Sequence, residues 1–205
     1  MLTLYYSPGA CSLAAHIVLE ESGEPYEARR VDFAKTEQRS SAYLDINPLG
    51  RVPALVLDDG TPVVENTAIL PYLGKRFGLW PADPVAEAKA LSLIGFFASS
   101  VHPAHAHFRR VERYSADPST FPAIREMGRK TFIAYLAQID GMLAGRDWFL
   151  DAYSVIDPYA LVFYSWGLRQ YELPMRGFEN YAALRGRLLD RPAVRRALEA
   201  ENITT

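Results

Sequence analysis

The sequence predicts an α/β unit followed by an all-α unit. Up to about residue 79, short β-prone runs alternate with short helical ones. After Pro81-Ala82-Asp83-Pro84 only helical periodicity continues, and two prolines in four residues interrupt regular structure between the halves. The predicted division is therefore 1–79, a linker at 80–84, and 85–205. A chain of 205 residues can bury one large core or two small ones.

In the first half, 2–6 (Leu-Thr-Leu-Tyr-Tyr) reads as a strand. A helix follows over about 11–21, with Leu13, Ile17 and Val18 on one face and Gly23 as its stop. Residues 26–32 read as a second strand and 41–46 as a short helix or turn. The runs 53–57 and 62–64 flank Asp58-Asp59-Gly60-Thr61, a hairpin signal because Asp-Gly tolerates the positive φ of a tight turn. Residues 66–77 then form a helix with Asn66 as polar cap and Gly78 as stop. The order is βαβ, then α, then ββα. The first unit needs two parallel strands and the hairpin adds antiparallel ones, so the sheet is mixed.

In the second half, Leu91, Ile94, Phe97, Ala98 and Val101 recur at three- and four-residue steps. A longer helix carries Phe121, Ile124, Met127, Thr131, Tyr135, Ile139 and Met142 on one stripe. Residues 159–166 are apolar all round, as in a helix at the centre of a bundle. Ser154-Val155-Ile156-Asp157 before them reads as a capping box, in which each end satisfies the other's N–H. Pro158, next in line, is expected to remove one helical hydrogen bond.

Composition excludes several functions. Charged residues make up 22% and the net charge is −2, with arginine pairs at Arg29-Arg30, Arg109-Arg110 and Arg195-Arg196 scattered among acids. That balance offers no general attraction to nucleic acid or an anionic membrane. A single cysteine makes neither an internal disulfide nor a multi-cysteine zinc site. His105 and His107 lie two apart on a helix and make a poor ligand pair, so no metal is expected. The start carries no basic segment followed by a sustained apolar run, and no run approaches the ~20 residues of a membrane span. A cytoplasmic protein is expected.

The lone cysteine is the first chemical candidate. Cys11 sits in Tyr5-Tyr6-Ser7-Pro8-Gly9-Ala10-Cys11-Ser12, where strand meets helix, and N–H groups at a helix start favour a negative charge. A thiol there is expected to ionise more easily; the alternative is an inert, buried small hydrophobe. Pro53 lacks the N–H that a central strand position uses, so it reads as a trans proline at a strand start or as a cis bond. Glu65 stands just before a favourable helix dipole. His102 precedes Pro103, which should end or kink its helix.

Three motifs together, residues 5–12, Asn47-Pro48-Leu49-Gly50-Arg51-Val52-Pro53-Ala54-Leu55 and Glu65-Asn66-Thr67-Ala68-Ile69, resemble the cytosolic glutathione transferases, specifically the bacterial beta class. Ser154 to Asp157 and Arg191-Pro192-Ala193-Val194 extend the resemblance over nearly the whole chain. It implies a thioredoxin-like domain with a helical bundle domain after it. The implied activity joins the glutathione thiolate to small hydrophobic electrophiles in detoxification, with glutathione as co-substrate, no metal and a homodimeric assembly. It further implies Cys11 and His102 as catalytic residues and Tyr6, Arg51, Val52, Pro53, Glu65 and Asn66 as glutathione contacts. A cis Val52-Pro53 bond would leave Val52 to pair with the cysteinyl part of the ligand. Glu65 would take the ligand ammonium and Asn66, where serine is more usual, its α-carboxylate. Cys11 would hydrogen-bond the glutathione sulfur or form a mixed disulfide with it. A glutathione-dependent disulfide reductase and a non-catalytic scaffold stand as alternatives. The electrophile is expected among Phe97, His102, Ala106, Arg109, Tyr114 and Trp166, with His105 and His107 at the surface.

Overall fold

A computed structural model describes residues 1–203. Its sheet holds β1 (Leu2–Tyr6), β2 (Tyr26–Arg30), β3 (Ala54–Val56) and β4 (Pro62–Val64) in the order β2-β1-β3-β4. β1 and β2 run parallel with Leu4 opposite Ala28; β1 and β3 are antiparallel with Leu4 opposite Leu55. β3 and β4 form the expected antiparallel hairpin, and Gly60 takes φ +89° in its turn. Between β1 and β2 lies α1 (Leu13–Ser22), ended by Gly23 at φ +65°. Short α2 (Ser41–Leu44) precedes β3, and α3 (Asn66–Arg76) follows β4. The mixed sheet is the one expected from sequence.

From α4 (Pro84–Phe96) onward the described regular structure is helical: α5 (His102–Arg109), α6 (Phe121–Met142), α7 (Ile156–Gln170), α8 (Glu179–Leu189) and α9 (Pro192–Ala200), with short 3-10 turns between them. Pro84 opens α4 at its first position, where the missing N–H costs nothing, and Asp83 caps it by accepting from Ala86 N–H at 2.8 Å. One continuous apolar core runs from Leu2 to Ile203 and joins sheet and bundle. Helix α1 sits at its centre against α3, α7 and α9, so Leu13, Ala14, Ala15, Ile17, Val18 and Leu19 are all buried rather than one face alone.

Four local expectations change. Met127 is 62% exposed and Leu91 47%; the buried stripe of α6 is Gly128, Phe132, Leu136 and Ile139, one step round the helix. Pro103 does not end its helix: a π turn over Phe97–Val101, the kind of irregularity at which helices kink, precedes α5, and the proline falls in the first turn of α5. Pro158 is the third residue of α7, among first-turn N–H groups that have no helical partner, so no helical bond is lost there. The Ser154 cap is reciprocal but shifted. Ser154 N–H donates to Asp157 Oδ2 at 2.9 Å, while Ser154 Oγ accepts from Ile156 N–H at 3.3 Å instead of from Asp157.

Candidate functional site

The loop 7–12 between β1 and α1 is held from inside and outside. Ser12 is buried, and its Oγ accepts from Ser7 N–H at 3.2 Å and donates to Ser7 carbonyl at 3.3 Å. Gly9 has φ +70°, which favours glycine; a Cβ there would lie 2.8 Å from Arg169 Nη1, a flexible side-chain tip that would have to move aside. Three distant elements grip the loop. Trp166 Nε1–H on α7 donates to Gly9 carbonyl at 2.8 Å, and Gly9 N–H donates to Glu201 Oε2 at 2.8 Å. Asn66 Nδ2 donates to Cys11 carbonyl at 3.0 Å.

Two adjoining cavities share Cys11, Arg51, Val52, His102, Ala106 and Arg113. The smaller, about 290 Å³, gathers Cys11, Arg51, Val52, Pro53, Glu65 and Asn66 from the sheet half, facing His102, Tyr114 and Tyr159 from the helical half. The Val52-Pro53 bond is cis. Arg51 carbonyl, one residue earlier, accepts from Tyr43 Oη at 2.6 Å and from Asn47 Nδ2 at 2.7 Å, which anchors the loop entering β3. Glu65 occupies the cap position of α3 with φ +70°, a costly conformation for a non-glycine residue (about 1–3 kcal/mol). Its carbonyl accepts from Ala68 and Ile69, yet no side chain caps the helix. Asn66, expected as the cap, is the first helical residue; its amide spends one N–H on Cys11, and its buried Oδ1 has no partner.

Cys11 is half-buried and precedes α1 by two residues. Its Sγ–H donates to Val52 carbonyl at 3.4 Å. Burial first, and the Glu65 carboxylate second, push the thiol up to about 12, outweighing Arg110 and Arg51. The expectation of an easily ionised thiol is therefore reversed: desolvation outweighs the helix start.

His102 is half-buried and lines both cavities, its ring edge-on to Trp166 at 5.0 Å. Burial pushes it down to about 4, with Arg51, Arg113 and Arg110 adding to the shift, so the imidazole is neutral at pH 7. His105, expected at the surface, is buried and stacked on Trp166 at 4.0 Å; burial and His102 push it down to about 3. His107 is half-buried, stacked on Tyr114 at 3.8 Å. Tyr6 lines neither cavity: its ring packs on His16 at 5.0 Å inside the core. Phe97 is also withdrawn, fully buried against Phe149, Tyr159 and Phe163. Ala106, Arg109 and Trp166 do line the larger cavity, and Tyr114 the smaller.

Sequence reasoning passed over His16 and Glu201, a fully buried pair at 2.8 Å. It also passed over the larger cavity's cationic lining, which sits poorly with a purely hydrophobic electrophile. Local pattern offered no signal for the buried pair, whose partners are 185 residues apart. Among the described residues, no His, Cys, Asp or Glu cluster suits a metal, and no helix is long and apolar enough to cross a membrane.

A family profile described as the N-terminal domain of glutathione S-transferase matches residues 9–76. Glutathione S-transferase GstA of Escherichia coli O157:H7 is 32% identical over 98% of this chain and all of its own length. A glutathione transferase homolog from Sulfitobacter, solved with bound glutathione, superimposes with TM-score 0.92 at 34% identity, covering 100% of this chain and 99% of its own. The beta class glutathione S-transferase of Sphingomonas chungbukensis superimposes with TM-score 0.86 at 31% identity over 98% of this chain and all of its own.

Proposed function

The chain belongs to the glutathione S-transferase family, a family of enzymes with a thioredoxin-like first domain, and on that premise we propose that it joins the glutathione thiolate to a small electrophile held between residues 1–79 and 85–205. One observation carries the reading: Cys11, Val52, Pro53, Glu65 and Asn66 converge on the smaller cavity, opposite His102.

In this reading Glu65 takes the γ-glutamyl ammonium. The second N–H of the Asn66 amide, beside Tyr159, and the uncapped first turn of α3 take its α-carboxylate. Val52 pairs with the cysteinyl backbone, and Arg51 with the glycyl carboxylate. Cys11, protonated at neutral pH, turns its S–H from Val52 carbonyl to the glutathione sulfur and so favours the thiolate. That turn also frees Val52 carbonyl to accept the cysteinyl N–H. Neutral His102 donates a second hydrogen bond to the sulfur. The thiolate then attacks the electrophilic carbon, and the leaving group departs with its bonding pair. A protonated Cys11 supports this role over disulfide reduction, which needs the thiolate as nucleophile. The reading includes a cytoplasmic homodimer, which sedimentation velocity on the purified chain and fractionation of its source cells test.

The decisive test pairs binding with turnover. Millimolar glutathione should raise the melting temperature, and 1-chloro-2,4-dinitrobenzene should be conjugated, read at 340 nm. Cys11→Ala should lower kcat by about 100-fold, the lower end of the scale for losing one donor to a developing anion. Glu65→Gln should mainly raise KM for glutathione. A melting shift without conjugation would leave a binding protein; neither would remove the proposal.

A further inference from the structure

The larger cavity, about 590 Å³, is walled by Arg39, Arg51, Arg109, Arg110, Arg113 and Arg169, with no Asp or Glu among its lining residues. Among the described residues, none of these six guanidinium groups makes a hydrogen bond or ion pair with the protein. Elsewhere Arg29, Arg76, Arg187, Arg191 and Arg196 each pair with a carboxylate. All six are exposed, so water and salt screen their mutual repulsion in part, and an anion entering from solution relieves the rest. The crowding registers at Arg113, held below the usual arginine range by burial and then by Arg110 and Arg51.

Glutathione accounts for part of this charge only. In the reading above, its α-carboxylate lies at α3 and its glycyl carboxylate at Arg51, which lines both cavities. Of the remaining five, Arg39 belongs to the sheet half and four to the helical half, of which Arg113 also lines the smaller cavity. Arg109 and Arg110 stand at the end of α5, Arg113 in the 3-10 turn after it, and Arg169 in the last turn of α7. The C-terminal ends of α5 and α7 carry partial negative charge and stabilise cations there. Phe33 completes the lining with a flat ring, which Arg110 approaches at 5.9 Å; Trp166 also borders the cavity but is only 4% exposed, held by its bond to Gly9 carbonyl and by the His105 stack.

We infer that the electrophile is an aromatic or unsaturated carboxylate, its charge held by Arg109, Arg110, Arg113 and Arg169 and its flat skeleton against the Phe33 ring and the planar guanidinium groups. This rests on the transferase reading and replaces the hydrophobic co-substrate with an anionic one. With 4-chloro-3,5-dinitrobenzoate as probe, a C–S bond forms at the chlorinated carbon. The C–Cl bond breaks, chloride leaves with the electron pair, and the glutathione thiol proton goes to solvent.

The test has a turnover arm and a binding arm. In the first, kcat/KM for 4-chloro-3,5-dinitrobenzoate is compared with that for its methyl ester, each divided by its uncatalysed rate. The acid should be favoured by about tenfold or more, a preference that shrinks in 0.5 M KCl. Arg113→Gln and Arg169→Gln should each reduce the acid-to-ester ratio by about fivefold, with Arg169→Lys retaining more of it. In the second arm, calorimetry compares 3,5-dinitrobenzoate with 3,5-dinitrobenzamide on the glutathione-saturated protein, and the anion should bind about tenfold tighter. Binding preference without turnover of either probe would remove the transferase reading and keep the anion site. Turnover of both probes at equal normalised rates, or a preference that both Gln variants leave intact, would overturn the inference.

Discussion

Replacing Glu201 by alanine is expected to destabilise the whole protein and to loosen the loop that carries Cys11. Glu201 follows α9, near the end of the described chain, yet its side chain is 0% exposed and that of His16 1%. Oε1 accepts from His16 Nδ1 on α1, and Oε2 accepts from Gly9 N–H, each at 2.8 Å. Alanine removes both acceptors at once, one facing fully buried His16 and one facing half-buried Gly9. A buried donor left without a partner costs about 1–3 kcal/mol, so two cost about 2–6 kcal/mol. At this chain length, each kcal/mol lowers the melting temperature by about 2–4 °C, giving a loss of roughly 4–24 °C. Differential scanning fluorimetry and urea unfolding read that loss. Kinetics supply a second readout, because Gly9 is two residues from Cys11 and KM for glutathione should rise. A cycle with His16→Phe should give a coupling of about 1 kcal/mol or more. A melting temperature within 2 °C of wild type with unchanged KM, or strictly additive single variants, would refute the reasoning.

Cys11 should react with iodoacetamide about 100–1,000-fold more slowly than an exposed thiol at pH 8, its rate still rising through pH 10. A plateau near pH 7–8 would contradict the raised ionisation. Stability should fall on acidification below pH 6.5, because His102 and His105 are held neutral in the fold while the unfolded chain binds protons there. From folded values of about 4 and about 3, each contributes a loss of about 2 kcal/mol between pH 7 and 5. Asp157, pushed up to about 6 by burial, takes up a proton in the fold over the same range and offsets part of it. In His105→Gln the urea midpoint should drop less between those two pH values than in wild type; an equal drop would count against the assignment. Asp157→Ala removes the acceptor for Phe149 and Ser154 N–H in a fully buried site. It should cost about 2–4 kcal/mol, whereas Asp157→Asn, which keeps an acceptor oxygen, should cost less by chemical denaturation.

What could be read along the chain was whatever depends on near neighbours. Backbone dihedral limits and side-chain period act over a few residues, so the strands, the Asp59-Gly60 turn, the Gly23 stop and the Ser154–Asp157 cap were legible. The cavity-lining residues Cys11, Val52, Pro53, Glu65 and Asn66 were legible as well, because they lie in short motifs. Helix faces were legible only to within a step, as Met127 and Leu91 illustrate: which apolar stripe is buried depends on the elements that cover it. Tertiary structure alone joined Glu201 to His16 and Gly9, and Trp166 to Gly9. It turned Tyr6 into the core, gathered arginines from positions 39 to 169 around one cavity, and reversed the direction of the Cys11 ionisation. Desolvation and charge crowding are set by everything packed around a group, and most of what packs around Cys11 comes from residues forty or more positions away.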